Sequence, residues 1–460
     1  MKKKSLLILA ISAVLTLGTG VFSAWAASGW SQMNGSWVYY DSNGSMVTNE
    51  WRKGADDKWR YLDGSGYMAV NSWAGDGYYV DANGVMAADK WLKISENMNG
   101  VNYGEEHWYY FLSSGKVVTD TWKKINDKWY YFDSDGAMQT GWVDGDMYYC
   151  GEDGAAKTGW QKLYPPNDEY DDGRVTPGDE GDDGKYWYYF TSSTKKYVPD
   201  LDNGSEYGEK KIDSTYYCFD STGAMQTGWV YVGSGSKEDG SILDCRYYGS
   251  DGKVKTGWYS AEPPEFLKGY EDEVEWFYFS KSGVPKAMEA DKEPSTSDFF
   301  KLNKKTYLFT ELGTPAYGLQ KVRTSGSDYT AYYFGTKAIS SMQTGKQKIE
   351  EGDGTISTFY FSETGRGFTG VKDGYLYYMG KLQTAEEGTR YQVISIPSGS
   401  GYNNYLVNTN GKVVKSANGV KDADGVKYTS NSGGLVQKID DEAAGSGQYK
   451  PAVEPYWNNR

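Results

Sequence analysis

"TWKKINDKWYYFDSDGAMQTGW", residues 121–142, decides how this chain is read. Trp129 stands seven residues before the glycine of "DSDGAM", Gly136. Strand side chains alternate between faces, so Trp129 and Tyr131 share one face and Tyr130 and Phe132 the other. A short strand aromatic on both faces suits a hairpin that packs one face on a neighbour and completes something else with the other. "DSDGAM" reads as a turn: Asp and Ser can bond the local backbone, and Gly tolerates positive φ. A second short strand ends in "MQT", and "GW" at 141–142 opens a new unit.

The same register recurs along the chain. Trp37 precedes Gly44 by seven residues, Trp108 precedes Gly115 and Trp276 precedes Gly283. Tyr216, Met147 and Cys245 hold that place before Gly223, Gly154 and Gly252. Opening tryptophans fall at Trp30, Trp51, Trp73, Trp91, Trp122, Trp142 and Trp160, with gaps of 21, 22, 18, 31, 20 and 18 residues. About twenty residues make one hairpin, which is unstable alone, so the units are expected to stack and share buried rings. The expected fold is all-β, a solenoid of stacked β-hairpins that degenerates toward the C-terminus. Well-formed units are expected over 27–160, units with long insertions over 161–290 and degenerate copies such as "TAYYF" and "STFYF" over 291–460.

Composition agrees with this division into small ring clusters. The chain has 58 Gly, 43 Tyr and 17 Trp, and 16% of its residues are aromatic. "MKKK", the apolar run Leu6 to Val21 and "AWA" at 24–26 form the three parts of a secretory leader over residues 1–26. No later segment is expected to span a membrane. The formal charge of -14 disfavours nucleic acid and favours cationic partners. With three Cys and one His, neither a disulfide scaffold nor a Cys/His zinc site is expected, although Cys218 could pair with Cys245.

Strong units carry two tryptophans, as in Trp122 with Trp129, Trp30 with Trp37, Trp51 with Trp59 and Trp91 with Trp108. If the next hairpin adds a tyrosine, three ring faces can converge. Such a cage suits a methylated ammonium, whose charge meets the ring quadrupoles while its methyl groups leave water. Several weak sites on one rigid solenoid would bind a polymer far more tightly than one.

The pattern GWxxxxxxWYYFxxxGxMxTGW resembles the choline-binding, or cell-wall-binding, repeats of Gram-positive surface proteins. Residues 121–142 match it nearly throughout, with Thr121 where Gly is usual. The resemblance runs from Ser28 to about Ala287 and more weakly beyond. It implies a hairpin superhelix with choline sites between successive units, held on choline-bearing teichoic acid or another wall polymer. Carried over residue by residue, it implies four cages: Trp122 and Trp129 with Tyr149, Trp30 and Trp37 with Tyr61, Trp51 and Trp59 with Tyr79, and Trp91 and Trp108 with Tyr131. Met138 and its equivalents would floor neighbouring sites. Gly77 and Met147 break the ring pairs opened by Trp73 and Trp142, and Cys218 replaces the tyrosine that would close Trp160 with Trp187.

Two other readings remain open. Related repeats bind glucans, and sugar rings stack on the same flat aromatics; a solenoid can also serve as an adhesive or protein-interaction surface. "DEYDDGRVTPGD" at 168–179 places Asp168, Asp172, Gly173 and Asp179 at calcium-hand spacing, but Tyr170 stands at a ligand position and prolines flank it, so a solvated acidic insertion is expected. No metal, cofactor or catalytic centre is expected. The chain is expected to be a non-catalytic protein of the cell wall or surface.

Overall fold

The computed structural model describes residues 28–166, 184–201, 205–233, 240–326 and 328–457. The leader expected over 1–26 and the acidic segment 168–179 lie outside the described residues. The chain divides into two compact units, one of residues up to 161 with 189–196, the other of residues 162–188 with 197–460. The described residues are all-β, with two single-turn 3-10 segments at Ile242–Asp244 and Thr296–Asp298.

The first unit is a stack of two-stranded antiparallel hairpins: Gly29–Met33 with Ser36–Tyr40, Glu50–Lys53 with Trp59–Leu62, Ser72–Ala74 with Tyr78–Val80, Lys90–Glu96 with Asn102–Phe111, Thr121–Ile125 with Lys128–Phe132, and Gly141–Val143 with Tyr148–Cys150. The second unit continues this way from Tyr207–Ile212 with Thr215–Asp220 to Leu319–Ser325 with Asp328–Tyr333. Beyond residue 345 the hairpins merge into wider sheets of five, three and four strands. The solenoid of stacked hairpins, loosening toward the C-terminus, is therefore the observed fold.

Strand register sorts the side chains. In the Trp122 hairpin, Trp122 lies opposite Tyr131 and Lys124 opposite Trp129, so both tryptophans and Tyr131 share one face. Tyr130 and Phe132 point the other way. The residue three after the register position forms a buried column in both units: Leu62, Val80, Phe111, Phe132, Cys150, Phe190, Phe219, Tyr248, Phe279, Phe309, Phe334 and Phe361 are all buried. Each large member stabilises its unit by about 1.5–3 kcal/mol. This column, made of one residue per hairpin, takes the place of a single large core.

Consecutive hairpins are joined by one backbone hydrogen bond at a fixed place. The carbonyl at the register position accepts from the N–H two residues past the next unit's turn glycine. Met68 donates to Trp37, Met86 to Trp59, Met138 to Trp108 and Ala156 to Trp129, at 2.8 to 2.9 Å. Lys196 donates to Met147, Met225 to Trp187 and Val254 to Tyr216 in the same way. Pro285 and Pro315 stand at the next two donor places and have no N–H to give.

The turns behave as their residues dictate. Asp133 accepts at Oδ1 from the N–H groups of Asp135 and Ala137, and Asp63 from those of Ser65 and Tyr67. Gly84 has φ +70°, and a Cβ there would stand 2.8 Å from Met68 Sδ of the preceding unit. Glycine is thus required both by the turn and by the methionine packed beneath it. Thr194, at φ 66°, is a non-glycine exception.

Cys150, Cys218 and Cys245 are buried free thiols, so the pair considered for Cys218 and Cys245 does not form. The two sit in different clusters, Cys218 with Val230 and Tyr248, Cys245 with Tyr231 and Ile242. Burial pushes the Cys150 thiol up to about 11 and that of Cys245 up to about 12.

Candidate functional site

The ring clusters lie where the tryptophan-bearing face of one hairpin meets the opposite face of the next. In the Lys90–Glu96 hairpin, Trp91 contacts its cross-strand partner Tyr110 at 5.2 Å between ring centroids and Trp108 at 6.4 Å, interplanar 90°. From the next hairpin it receives Tyr130 at 5.0 Å and Phe132 at 5.6 Å. Met138 packs against the same cluster. One unit on, Trp122 contacts Tyr131 at 5.1 Å and Tyr148 of the following hairpin at 4.8 Å. Trp51 likewise contacts Tyr61 at 5.1 Å and Tyr78 at 5.5 Å.

This geometry corrects the membership expected of the cages. Tyr61, Tyr79, Tyr131 and Tyr149 lie directly opposite Trp51, Trp73, Trp122 and Trp142 of their own hairpins. The ring that crosses to the preceding unit is the one before each: Tyr78, Tyr130 and Tyr148. Alternation is the cause, because the residue two after the register position shares its face and the residue one after it points to the neighbour. For Trp30 and Trp37 that neighbouring place holds Arg60, bound by Asp56 at 2.7 and 2.9 Å, while the Arg52 guanidinium lies 5.4 Å over Tyr39. The first expected cage is therefore not closed by a tyrosine.

The two tryptophan classes differ in burial. Trp30, Trp51, Trp91 and Trp122 are half-buried. Their indole N–H groups are anchored where a partner is in reach: Trp30 donates to the Lys53 carbonyl at 2.8 Å and Trp122 to Asp144 Oδ2 at 3.0 Å. By contrast, Trp37, Trp59, Trp108 and Trp129 are 42, 41, 43 and 41% exposed. Each of these four rings leaves about two fifths of its surface to solvent.

A further set was not among the cages expected from the sequence. Trp258 contacts its partner Tyr278 at 5.3 Å and, from the next hairpin, Tyr307 at 5.2 Å; Trp276 is exposed on the same face, opposite Ser260. Its signal was present, since Trp276 stands seven residues before Gly283, but the stretched spacing from Trp229 to Trp258 obscured the pair. Trp276 also lines a cavity of about 450 Å³, whose acidic end is internally paired through Lys337 to Glu271, Asp272 and Glu275.

Carboxylates surround the rings. Tyr110 donates to Asp89 Oδ1 at 2.7 Å, and that hydrogen bond, with burial, raises the phenol's pKa. Burial, then Asp144, Asp120 and Asp133, raise that of Tyr131. Residues 27–290 carry nineteen more acidic than basic side chains, whereas 291–460 carry two more basic than acidic. The net negative charge of residues 27–290 favours cationic partners at long range.

Two repeat-family models match stretches of the chain. Residues 27–73 and 118–158 match the choline-binding repeat model, and 101–117 match the cell wall binding repeat model. Within residues 27–158, therefore, the chain carries repeats of the choline-binding, cell-wall-binding type. No match is found among curated proteins. Among solved structures, it is similar to the modular autolysin LytC of Streptococcus pneumoniae, at 19% identity over 63% of this chain and 52% of that one, TM-score 0.38. It is also similar to the choline-binding domain of CbpL from the same organism, at 26% identity over 50% and 97%, TM-score 0.32. Choline-binding protein F, crystallised with a peptidoglycan analogue, matches at 21% identity over 64% and 96%, TM-score 0.35. The chain spans about half the length of the LytC chain it matches. No helix among the described residues is long and apolar enough to cross a membrane.

Proposed function

We propose that this chain is a non-catalytic wall-binding protein of a Gram-positive cell surface, whose intervals between hairpins hold choline or a similar quaternary ammonium group on a wall polymer. The best-formed intervals are those of Trp91, Trp108, Tyr110 and Tyr130 and of Trp122, Trp129, Tyr131 and Tyr148. Those of Trp51, Trp59 and Tyr78 and of Trp258, Trp276 and Tyr307 follow.

One observation carries this reading: the register tryptophans are exposed on hairpins that do not need them. Gly77, Met147 and Ala331 occupy the same register place, and their hairpins form all the same. A large ring that keeps about two fifths of its surface in water, at a place the hairpin can fill with glycine or methionine, supports a ligand wall. A trimethylammonium group would gain roughly 0.5–2 kcal/mol from each ring. Three rings place one interval near about millimolar affinity, roughly 4 kcal/mol.

Titration of the full chain with choline, followed by tryptophan fluorescence, should give a saturable change in that range, with little response to glucan oligosaccharides. A saturable response to the glucans and none to choline would assign the rings to carbohydrate instead.

A further inference from the structure

The Trp142 interval keeps its ring wall but lacks the second tryptophan. Trp142 still contacts Tyr149 at 5.4 Å and Phe190 at 5.8 Å, and Met147 stands at the register position. Its floor is also different. Two residues past the turn, where stronger units carry Met68, Met86 and Met138, this one carries Lys196. The backbone of Lys196 is fixed by its hydrogen bond to the Met147 carbonyl at 2.8 Å. Its Nζ lies 4.8 Å from the centroid of Trp142, and the residue is only 7% exposed.

We propose that the Trp142 interval is self-liganded: the Lys196 ammonium is its resident cation and shuts out an external quaternary ammonium. This rests on the reading of the complete intervals given above. A desolvated ammonium over an indole face is held more firmly than an exposed one. Being tethered, it also acts at an effective concentration of about millimolar or more, which a ligand of comparable affinity does not displace. A second cation brought beside it would meet like charge in a poorly solvated place.

Lysines also lie over tyrosines in the second unit, though there they are more exposed than Lys196. Lys346 takes the place of the opening tryptophan in its hairpin, and its Nζ lies 5.6 Å over Tyr375 of the next; Lys372 of that next hairpin lies 5.7 Å over Tyr360 and 3.8 Å from Asp373. Each lysine covers the other hairpin's tyrosine. Lys53 over Trp59 and Lys116 over Tyr78 are far more exposed than Lys196, and each also reaches a carboxylate, Asp57 and Asp76, at 2.8 Å.

The test counts choline and tetramethylammonium sites on the full chain by calorimetry in the wild type, Met147→Trp, Lys196→Met and the double variant, with near-ultraviolet circular dichroism confirming intact packing. Met147→Trp alone should add no site, and the double variant should add one. Lys196→Arg in the Met147→Trp background should stay closed. A new site in Met147→Trp alone, or none in the double variant when the wild type binds, overturns the inference. If only the double variant binds, the inference stands and the reading of the complete intervals falls. If no protein binds either cation, both fall.

Discussion

The Trp91 and Lys346 hairpins share a buried column residue but differ in what surrounds it, the first being a separate two-stranded hairpin and the second part of a five-stranded sheet. Both rest on a buried residue three after the register position, Phe111 in one hairpin and Phe361 in the other. Both receive a ring from the next hairpin, Tyr130 or Tyr375. Around Trp91 the exposed place holds Trp108, and carboxylates stand nearby; around Lys346 it holds Thr358, and two ammonium groups cover the tyrosines. Stacking rests on the column and the turn, with the backbone bond added wherever the donor is not proline. Whatever else a unit keeps on its exposed face is available for binding, and that is where the two regions part.

The sharpest way to break this comparison is to remove one ring of each class. Trp91→Ala deletes a ring packed on Tyr110, Tyr130 and Phe132 and should cost about 3–5 kcal/mol in urea unfolding of the full chain. Trp108→Ala, trimming an exposed ring, should cost under about 1 kcal/mol. Equal losses would mean that the exposed tryptophans are structural after all.

Next in size is ligand affinity. Trp129→Phe keeps an apolar ring with a weaker cation surface and should weaken choline binding at one interval several-fold while the melting temperature moves little. The same change at Trp276 should weaken a different interval, which competition calorimetry on the pair of variants would resolve.

Alkaline pH probes the buried column. The Cys150 thiol has its folded pKa raised above the unfolded value, to about 11 from 9.0, so its stabilising contribution is complete below pH 9 and is lost as pH climbs through the folded value. Stability should therefore fall between pH 9 and 11, and Cys150→Ala should show a shallower fall, measured by urea unfolding across that range. The smallest effect is expected at Thr194. A left-handed backbone costs a non-glycine residue about 1–2 kcal/mol, and glycine returns part of that in chain entropy, so Thr194→Gly should gain at most about 1 kcal/mol.

The turn, the two-faced strand and the stacking of hairpins were legible in "KWYYFDSDGAM" because each depends on neighbours in sequence. Cage membership was not. The alternation that puts Tyr130 and Tyr131 on different faces can be read within one strand. Which face meets which unit depends on the pairing of Trp122 with Tyr131, a contact between strands. Tyr148, not Tyr149, faces the Trp122 interval, and on a strand one residue is the other side of the sheet. The lysines over Trp142 and Tyr375 were illegible for a related reason: their reach is set by side-chain direction across an interval, not by spacing.

The backbone bonds between hairpins have a mechanical consequence. Most units are riveted to the one before by a main-chain bond that no side-chain substitution other than proline can remove. Side chains at the interval are thus free to drift from tryptophan to methionine, lysine or threonine while the rivets stay in place. At Pro285 and Pro315 two rivets in succession are missing. Pulled lengthwise, the second unit should yield first across residues 245–315, as a fuse does, and the hairpins on either side should let go later and one by one.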